Sequence, residues 1–144
     1  MNVSQNCVEL IKYFEGFEDT AYLCPANVWT IGYGRTRNVK EGDRITEAQA
    51  ERDLLEELEE FKHQVLHSVK VELTQNELDA LTSWTYNLGV GNLNSSTLLK
   101  KLNAGSKDEV PAEMLRWNKA GGKVLAGLTK RREAEAELWA KEVA

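Results

Sequence analysis

The 144-residue sequence lacks any apolar run of about 18 residues, the length that a membrane-spanning helix requires. It has no internal repeat and no low-complexity segment, which excludes repeat architectures and collagen-like chains. Residues 1–6 have neither the basic region nor the apolar core of a secretory signal peptide. We therefore expect one soluble domain without a membrane span, with enough apolar residues, 42%, to bury a core.

Cysteine and histidine are scarce, with two of each. Cys7 and Cys24 cannot build a disulfide framework, and whether they pair with each other stays open, because sequence gives no geometry. His63 and His67 lie four residues apart on a predicted helix without an acidic or thiol partner at a diagnostic offset. We expect an exposed or packed histidine pair, no metal and no cofactor.

Positive charge is the minority, with 18 basic against 23 acidic residues and a net charge of -5, which argues against a nucleic-acid partner. The average conceals two opposite runs. Residues 47–60 contain seven acids and one base, whereas residues 116–132 contain six bases and no acid. We interpret the acidic run as a solvated helix face. The basic run could also face an anionic polymer or membrane surface.

The first predicted helix covers residues 5–14, with Ser4 as its N-cap and Gly16 as its stop. Its apolar face has helical spacing and consists of Cys7, Leu10, Ile11 and Phe14. Glu15 thus lies at a helix end beside Phe14 and Phe17. Partial burial there would favour the neutral carboxyl, the form that a proton donor needs.

Residues 17–46 lack a helical period and are rich in glycine. Residues 28–33 predict a strand, residues 21–23 its partner, and residues 25–27 the turn between them. Residues 37–44 could add a third short strand or a loop. This region is too poor in apolar residues to fold alone.

The remaining sequence predicts helices joined by short loops. Two capping boxes, Thr46 with Gln49 and Thr74 with Glu77, open the first two of these helices. The predicted helices are 47–67, 75–88, 97–102, 111–118 and 128–143, with stops at Gly89 and Gly105 and a loop at Gly121 and Gly122. Trp29, Trp84, Trp117 and Trp139 are predicted core residues.

Three ordered blocks of the sequence resemble the phage-type lysozymes, the endolysins that degrade bacterial cell walls. Glu15, Cys24 and Thr30 stand at the spacing of the family motif, which has Glu, eight residues, Asp or Cys, five residues and Thr. Residues 86–99 resemble its substrate-cleft helix pair, and residues 116–135 its C-terminal signature. Two residues depart from the best-known members: Arg35 replaces a common histidine, and Cys24 replaces an aspartate.

The resemblance implies an α+β, mainly helical, lysozyme-like fold of two lobes. We expect a small β lobe at about residues 17–46 and a helical lobe from residues 1–16 and about 68–144. A linking helix at about 47–67 joins them within a single catalytic domain.

The resemblance also implies hydrolysis of the β-1,4 bond between N-acetylmuramic acid and N-acetylglucosamine, with Glu15 protonating the departing oxygen. Cys24 as a thiol would orient a water together with Thr30. Attack by that water favours inversion of the anomeric configuration. As a thiolate, Cys24 could instead attack the sugar and give retention. For Tyr86, Asn87 and Asn118 we expect a place at the cleft wall, although core packing of Tyr86 and a helix stop at Asn118 are open alternatives.

The expected partner is the glycan strand of peptidoglycan, with an anionic outer-membrane surface as a further partner of residues 116–132. We expect a monomer that leaves the host cytoplasm through a holin. Two rival functions remain open. A lytic transglycosylase uses one glutamate on such a fold and yields an anhydro sugar. A non-enzymatic wall-binding or membrane-active helical module would act through its basic segment.

Overall fold

The computed structural model describes residues 1–141, which form an α+β structure dominated by helices. The helices are α1 (Gln5–Glu15), α2 (Glu47–Ser68), α3 (Gln75–Leu88), α4 (Val90–Ser95), α5 (Thr97–Asn103), α6 (Val110–Leu115) and α7 (Ala126–Ala140). The strands are β1 (Glu18–Leu23), β2 (Trp29–Gly32), β3 (Lys119–Ala120) and β4 (Lys123–Val124), paired antiparallel as β1–β2 and β3–β4. No helix within residues 1–141 has the length and apolar character to cross a bilayer. The predicted α+β, mainly helical architecture is confirmed, whereas the lobe boundaries stay a prediction.

Helix α1 is anchored to α3 at its first residue. Ser4 caps the helix by accepting a hydrogen bond from the Asn6 amide, as predicted. The Ser4 amide and hydroxyl both donate to the fully buried carboxylate of Asp79 on α3. At the other end Gly16, with φ 70°, ends the helix one residue beyond Glu15. Both ends of α1 are therefore fixed, and Glu15 occupies its last position.

The β1–β2 hairpin follows the predicted pattern. Its register pairs Tyr22 with Thr30 and Leu23 with Trp29. The turn closes where the Cys24 amide donates to the Val28 carbonyl at 3.0 Å, and Asn27 adopts the left-handed φ of 63° that this tight turn requires. Residues 37–44 form a loop whose one bridge to β1 joins Arg44 to Thr20.

The acidic face of α2 is only partly solvated, and the interpretation of this run as a solvated face is wrong for Glu57, which is buried. Arg35 Nη1 lies 3.1 Å from Glu57 Oε1, and Arg37 binds Glu60 through two hydrogen bonds of 3.2 and 2.8 Å. Glu57 is 8% exposed. The loop after β2 thus docks on α2 through arginines, and Arg35, which replaces the family histidine, makes one of these ion pairs. The sequence could not indicate this pairing, because the partners lie more than 20 residues apart.

The larger core surrounds α3, which packs against α2 and α7. Its capping box of Thr74 and Glu77 is complete, whereas Gln49 turns to Asp53 and leaves the box at Thr46 half-made. The predicted tryptophans Trp84 and Trp139 are buried, while Trp29 and Trp117 are half-buried. The core comprises mainly aliphatic side chains of α3 to α7, among them Leu78, Leu81, Leu93, Leu98, Leu102 and Met114.

Four local predictions after Leu88 need correction or refinement. The glycines around Val90 end α3 but also begin the unpredicted helix α4. Helix α6 ends at Leu115 rather than near Asn118, because the Asn118 carbonyl instead accepts from Leu125 to close the β3–β4 hairpin. The predicted Gly121–Gly122 loop is the two-residue turn of that hairpin. Helix α7 begins at Ala126, two residues early, and its predicted end at Val143 lies outside the described residues.

We predict that Arg35→Ala lowers the free energy of unfolding at pH 7 by about 1–3 kcal/mol, because it leaves the buried Glu57 carboxylate without its cation. Burial already raises the pKa of Glu57, and the Arg35 charge opposes this. A carboxyl with a raised folded-state pKa destabilises the fold only when it is ionised. The loss should therefore shrink as pH falls towards about 4.3, the ordinary glutamate pKa.

Urea denaturation between pH 4 and pH 7 measures this effect. Arg44→Ala is the matched control, since Arg44 is exposed and has no ion pair within residues 1–141. A pH-independent loss, or one equal to that of the control, would contradict the role of the Arg35–Glu57 pair.

Candidate active site

Glu15 projects from the end of α1 into a largely enclosed position, with 20% of its side chain exposed. Arg131 Nη1 on α7 donates a hydrogen bond of 2.7 Å to Glu15 Oε2. The same guanidinium lies 5.9 Å from the centre of the Phe14 ring. The predicted burial beside aromatic residues is thus present, but the surroundings of the carboxyl are not purely apolar. An ion pair stabilises the carboxylate, whereas burial stabilises the neutral acid.

Arg131 is itself almost fully buried and tightly held. Its Nε donates to Glu135 Oε2 at 3.2 Å, and its Nη2 donates to the Ser83 carbonyl at 3.4 Å. The Ser83 hydroxyl donates to the same Glu135 oxygen at 2.6 Å. Burial raises the pKa of Glu135 in spite of its arginine neighbours. These bonds fix the guanidinium that contacts Glu15.

A second arginine completes this buried cluster. Arg132 is fully buried, lies 3.2 Å from Glu135 through Nη1 and donates to the Asn87 side-chain oxygen. Burial lowers the pKa of Arg132 to about 10. Two of the six bases in residues 116–132 are therefore structural, so that run is not one exposed basic face. Nothing in the sequence of residues 116–132 indicated that Arg131 and Arg132 would be buried.

Gly34 packs directly on the Glu15 carboxyl. A methyl group added at Gly34 would lie 2.7 Å from Glu15 Oε1 and 3.0 Å from its carboxyl carbon, and the φ of +86° also disfavours other residues. The neighbouring Tyr33 carbonyl accepts a hydrogen bond of 2.7 Å from the Tyr86 hydroxyl on α3. The segment after β2 therefore touches the carboxyl and is tied to the helical part of the chain.

Cys24 and Thr30 lie on one face of the β1–β2 hairpin, because Tyr22 pairs with Thr30 and Cys24 lies two residues beyond Tyr22. Hydrogen bonds from the Val28 and Ala26 amides lower the pKa of the Cys24 thiol. Thr30 Oγ1 donates to the Val28 carbonyl at 3.0 Å. Its lone pairs remain able to accept a hydrogen bond from another group.

Tyr22 lies on β1 opposite Thr30 and was not among the predicted site residues. Burial raises the pKa of Tyr22, and the nearby charges of Glu15, Glu18 and Cys24 raise it further. The Tyr22 hydroxyl thus lies within electrostatic reach of both Glu15 and Cys24. The alternation of β1 could have placed Tyr22 on the face of Cys24, since the two are separated by one residue.

The three predicted cleft residues serve internal contacts. The Tyr86 hydroxyl is bound to Tyr33, its ring packs on Phe61 at 5.4 Å, and burial raises its pKa. Asn87 holds Arg132, and Asn118 Nδ2 donates to Thr129 Oγ1 at 3.1 Å. All three are partly exposed, so these bonds leave surface for a ligand.

Both cysteines are free. Cys7 is fully buried under α3, where burial raises the pKa of its thiol, whereas Cys24 lies in the turn after β1. On α2, His63 has an acidic partner that the sequence analysis did not count, since its Nε2 lies 3.2 Å from Glu59 Oε1.

Among known proteins, two relatives that match most of this chain are both endolysins. The chain is 44% identical over 143 residues to the endolysin of Acyrthosiphon pisum secondary endosymbiont phage 1, covering 96% of this chain and 98% of that protein. It is 46% identical over 142 residues to the endolysin of Bacillus phage B103, again over 96% of this chain. It spans about half, 54%, of the length of that Bacillus phage protein.

Solved structures agree with these relatives. The muramidase domain of SpmX from Asticaccaulis excentricus superposes with a TM-score of 0.91 and 36% identity, covering 98% of this chain and 99% of that one. The endolysin from Escherichia coli O157:H7 phage FAHEc1 superposes with a TM-score of 0.88 and 41% sequence identity. The match covers 99% of this chain and 96% of that one. The family model for phage lysozyme matches residues 12–135, which include Glu15, Cys24, Thr30 and Arg131. This chain belongs to the phage lysozyme family.

Proposed function

We propose that this chain is a muramidase, which hydrolyses the β-1,4 bond between N-acetylmuramic acid and N-acetylglucosamine, with Glu15 as proton donor. Family membership and the endolysin relatives support the coarser statement that it is a phage endolysin that degrades peptidoglycan. The more specific statement, that the chain is a muramidase, is supported by the solved SpmX relative, which is named a muramidase domain. The observation that carries the proposal is the enclosed Glu15 carboxyl, which contacts Arg131 and also Gly34, two residues beyond the strand that bears Thr30.

The first step is protonation of the departing glycosidic oxygen by Glu15, which becomes a carboxylate. Arg131 stabilises that carboxylate, because its Nη1 already donates to Oε2 and its own position is fixed by Ser83 and Glu135. The proton donor therefore ends the step with a charged partner in place, and no side chain needs to move.

The second step is attack on the anomeric carbon by a water that Thr30 and Cys24 orient. The water's proton passes to the Cys24 thiolate, and exchange with solvent then restores the thiolate and the neutral Glu15 acid. The Thr30 hydroxyl proton is committed to the Val28 carbonyl, so its oxygen is available to accept a hydrogen bond from the water. The amides that lower the pKa of the Cys24 thiol also increase the fraction of Cys24 that is thiolate. A thiolate accepts hydrogen bonds more strongly than a thiol does, and its negative charge stabilises the positive charge that develops on the sugar. Direct attack of the Cys24 thiolate on the anomeric carbon is the alternative. It differs because the product then retains the anomeric configuration of the substrate.

The comparisons do not favour the lytic transglycosylase alternative, since the relatives named above are endolysins and a muramidase. Transfer of the sugar to water leaves a reducing end, whereas a transglycosylase leaves an anhydro end. Release through a holin and a monomeric state stay predictions.

We predict that Glu15→Gln lowers the rate of peptidoglycan cleavage by at least about 10²-fold, because the amide has no acidic proton to give. The fold should survive, since the glutamine oxygen can still accept from Arg131. Mass spectrometry of fragments from purified peptidoglycan measures both rate and product. Anhydro ends from the unchanged chain would contradict hydrolysis, and full activity of the variant would exclude Glu15 as the donor.

For Cys24 we predict that Cys24→Asp keeps activity, because a carboxylate can also orient water, and that Cys24→Ala loses most of it. The first-formed anomer, observed by proton NMR of a soluble glycan fragment, distinguishes the two routes. Inversion is expected for water attack, and retention would instead make the Cys24 thiolate the nucleophile. Undiminished cleavage by Cys24→Ala would remove this residue from the mechanism.

Gly34→Ala should lower activity by roughly 10²-fold, because the new methyl group must displace the Glu15 carboxyl. Gly42→Ala is the matched control, with a φ of +90° and nothing within 4 Å of the added methyl group. Both variants should lose about 1–2 kcal/mol of stability through backbone strain. Peptidoglycan turbidity assays on folded protein, with urea denaturation alongside, separate the two effects. Equal activities of the two variants would show that contact with Gly34 does not position Glu15.

A further inference from the structure

We propose that the β3–β4 hairpin binds the carboxylates of the peptide stems that peptidoglycan carries, and so holds the wall polymer beside the catalytic cleft. This inference rests on the proposed function and adds a contact outside the sugar chain. The proposed site is the whole projecting hairpin, with Lys119 and Val124 on one face, Lys123 on the other and Leu125 at its base.

The hairpin stands away from the rest of the chain. Every residue from 119 to 127 is exposed, including the apolar Val124 and Leu125 at 58% and 44%. Its turn consists of Gly121 and Gly122, which both have positive φ. Exposed apolar side chains on a projecting hairpin add nothing to the core, so they are available for contact with a partner.

The base of the hairpin is connected through α7 to the arginine that contacts the Glu15 carboxyl. The Leu125 amide donates to the Asn118 carbonyl at 3.0 Å, and the Asn118 side chain donates to Thr129 in the first turn of α7. Arg131, which holds Glu15, follows Thr129 by two residues, a rise of about 3 Å along the helix. A glycan strand that reaches Glu15 therefore passes near the hairpin, and its peptide stems extend sideways from the sugars.

The charge of this surface suits an anionic partner. Lys119 and Lys123 make no ion pair within residues 1–141, and residues 116–132 contain no acid although the whole chain carries -5. Peptide stems offer carboxylates and small aliphatic side chains close together. Lysines beside Val124 and Leu125 match both features.

The hairpin is less suited to a membrane surface. In its register Lys119 pairs with Val124, and Ala120 pairs with Lys123, so each face carries one lysine. An element that lies in a lipid interface separates its charged side chains from its apolar ones. The hairpin mixes them on both faces, which favours scattered carboxylates over a bilayer as the partner.

The test compares the double variant Lys119→Gln/Lys123→Gln with the unchanged chain on two substrates. One is intact peptidoglycan, and the other is the same glycan after an amidase has removed its peptide stems. We expect KM for intact peptidoglycan to rise roughly threefold to tenfold with kcat unchanged, as for two exposed charge pairs. KM for the stem-free glycan should not change. Added salt should weaken the unchanged chain more than the variant.

Lys40→Gln/Lys100→Gln is the matched control, because it removes the same charge from exposed lysines outside the hairpin. Co-sedimentation with insoluble peptidoglycan measures binding independently of cleavage, so failure of the muramidase proposal and failure of this one give different results. An unchanged KM, an equal rise on both substrates, or an equal rise in the control would each overturn the inference. Loss of binding to anionic phospholipid vesicles, with KM for the wall unchanged, would assign the hairpin to a membrane instead.

Discussion

The ion pair between Arg131 and Glu15 joins the last residue of α1 to α7, across 116 positions of sequence. Around it, two arginines and two glutamates form a cluster whose formal charges cancel, with Arg132 and Glu135 fully buried. Removing one of the fully buried members, Arg132 or Glu135, would leave a buried charge uncompensated, which is costly in a protein interior. The position of Glu15 is therefore tied to the stability of the helical core.

The proposed chemistry needs groups from opposite parts of the chain, and the structure joins these parts through a few polar contacts. The Tyr86 hydroxyl holds the Tyr33 carbonyl, Gly34 packs on the Glu15 carboxyl, and Arg35 pairs with Glu57 on α2. Each contact fixes the segment after β2, which continues directly from the strand bearing Thr30. Small displacements of this segment would change the distance between acid and water site, which is why such contacts matter for catalysis.

The basic run of residues 116–132 divides into two functions that its sequence does not separate. Arg131 and Arg132 are buried and complete the charge cluster under the site. Lys119 and Lys123 lie on an exposed hairpin whose base is tied to the same helix. In the proposed mechanism, one short stretch of chain therefore both fixes the proton donor and offers charge to the surrounding polymer.

The sequence by itself determined the helix caps, the first hairpin and the family. Ser4, Thr46 and Thr74 cap the helices that they were predicted to cap, because a side-chain oxygen next to unpaired amides acts within a few residues. The spacing of Glu15, Cys24 and Thr30 likewise pointed to the family to which the chain belongs. Only the tertiary structure decided which charges are buried and paired, as for Arg131, Arg132 and Glu57. Their partners are distant in sequence, and an arginine or glutamate has the same local pattern whether it lies in water or against an opposite charge.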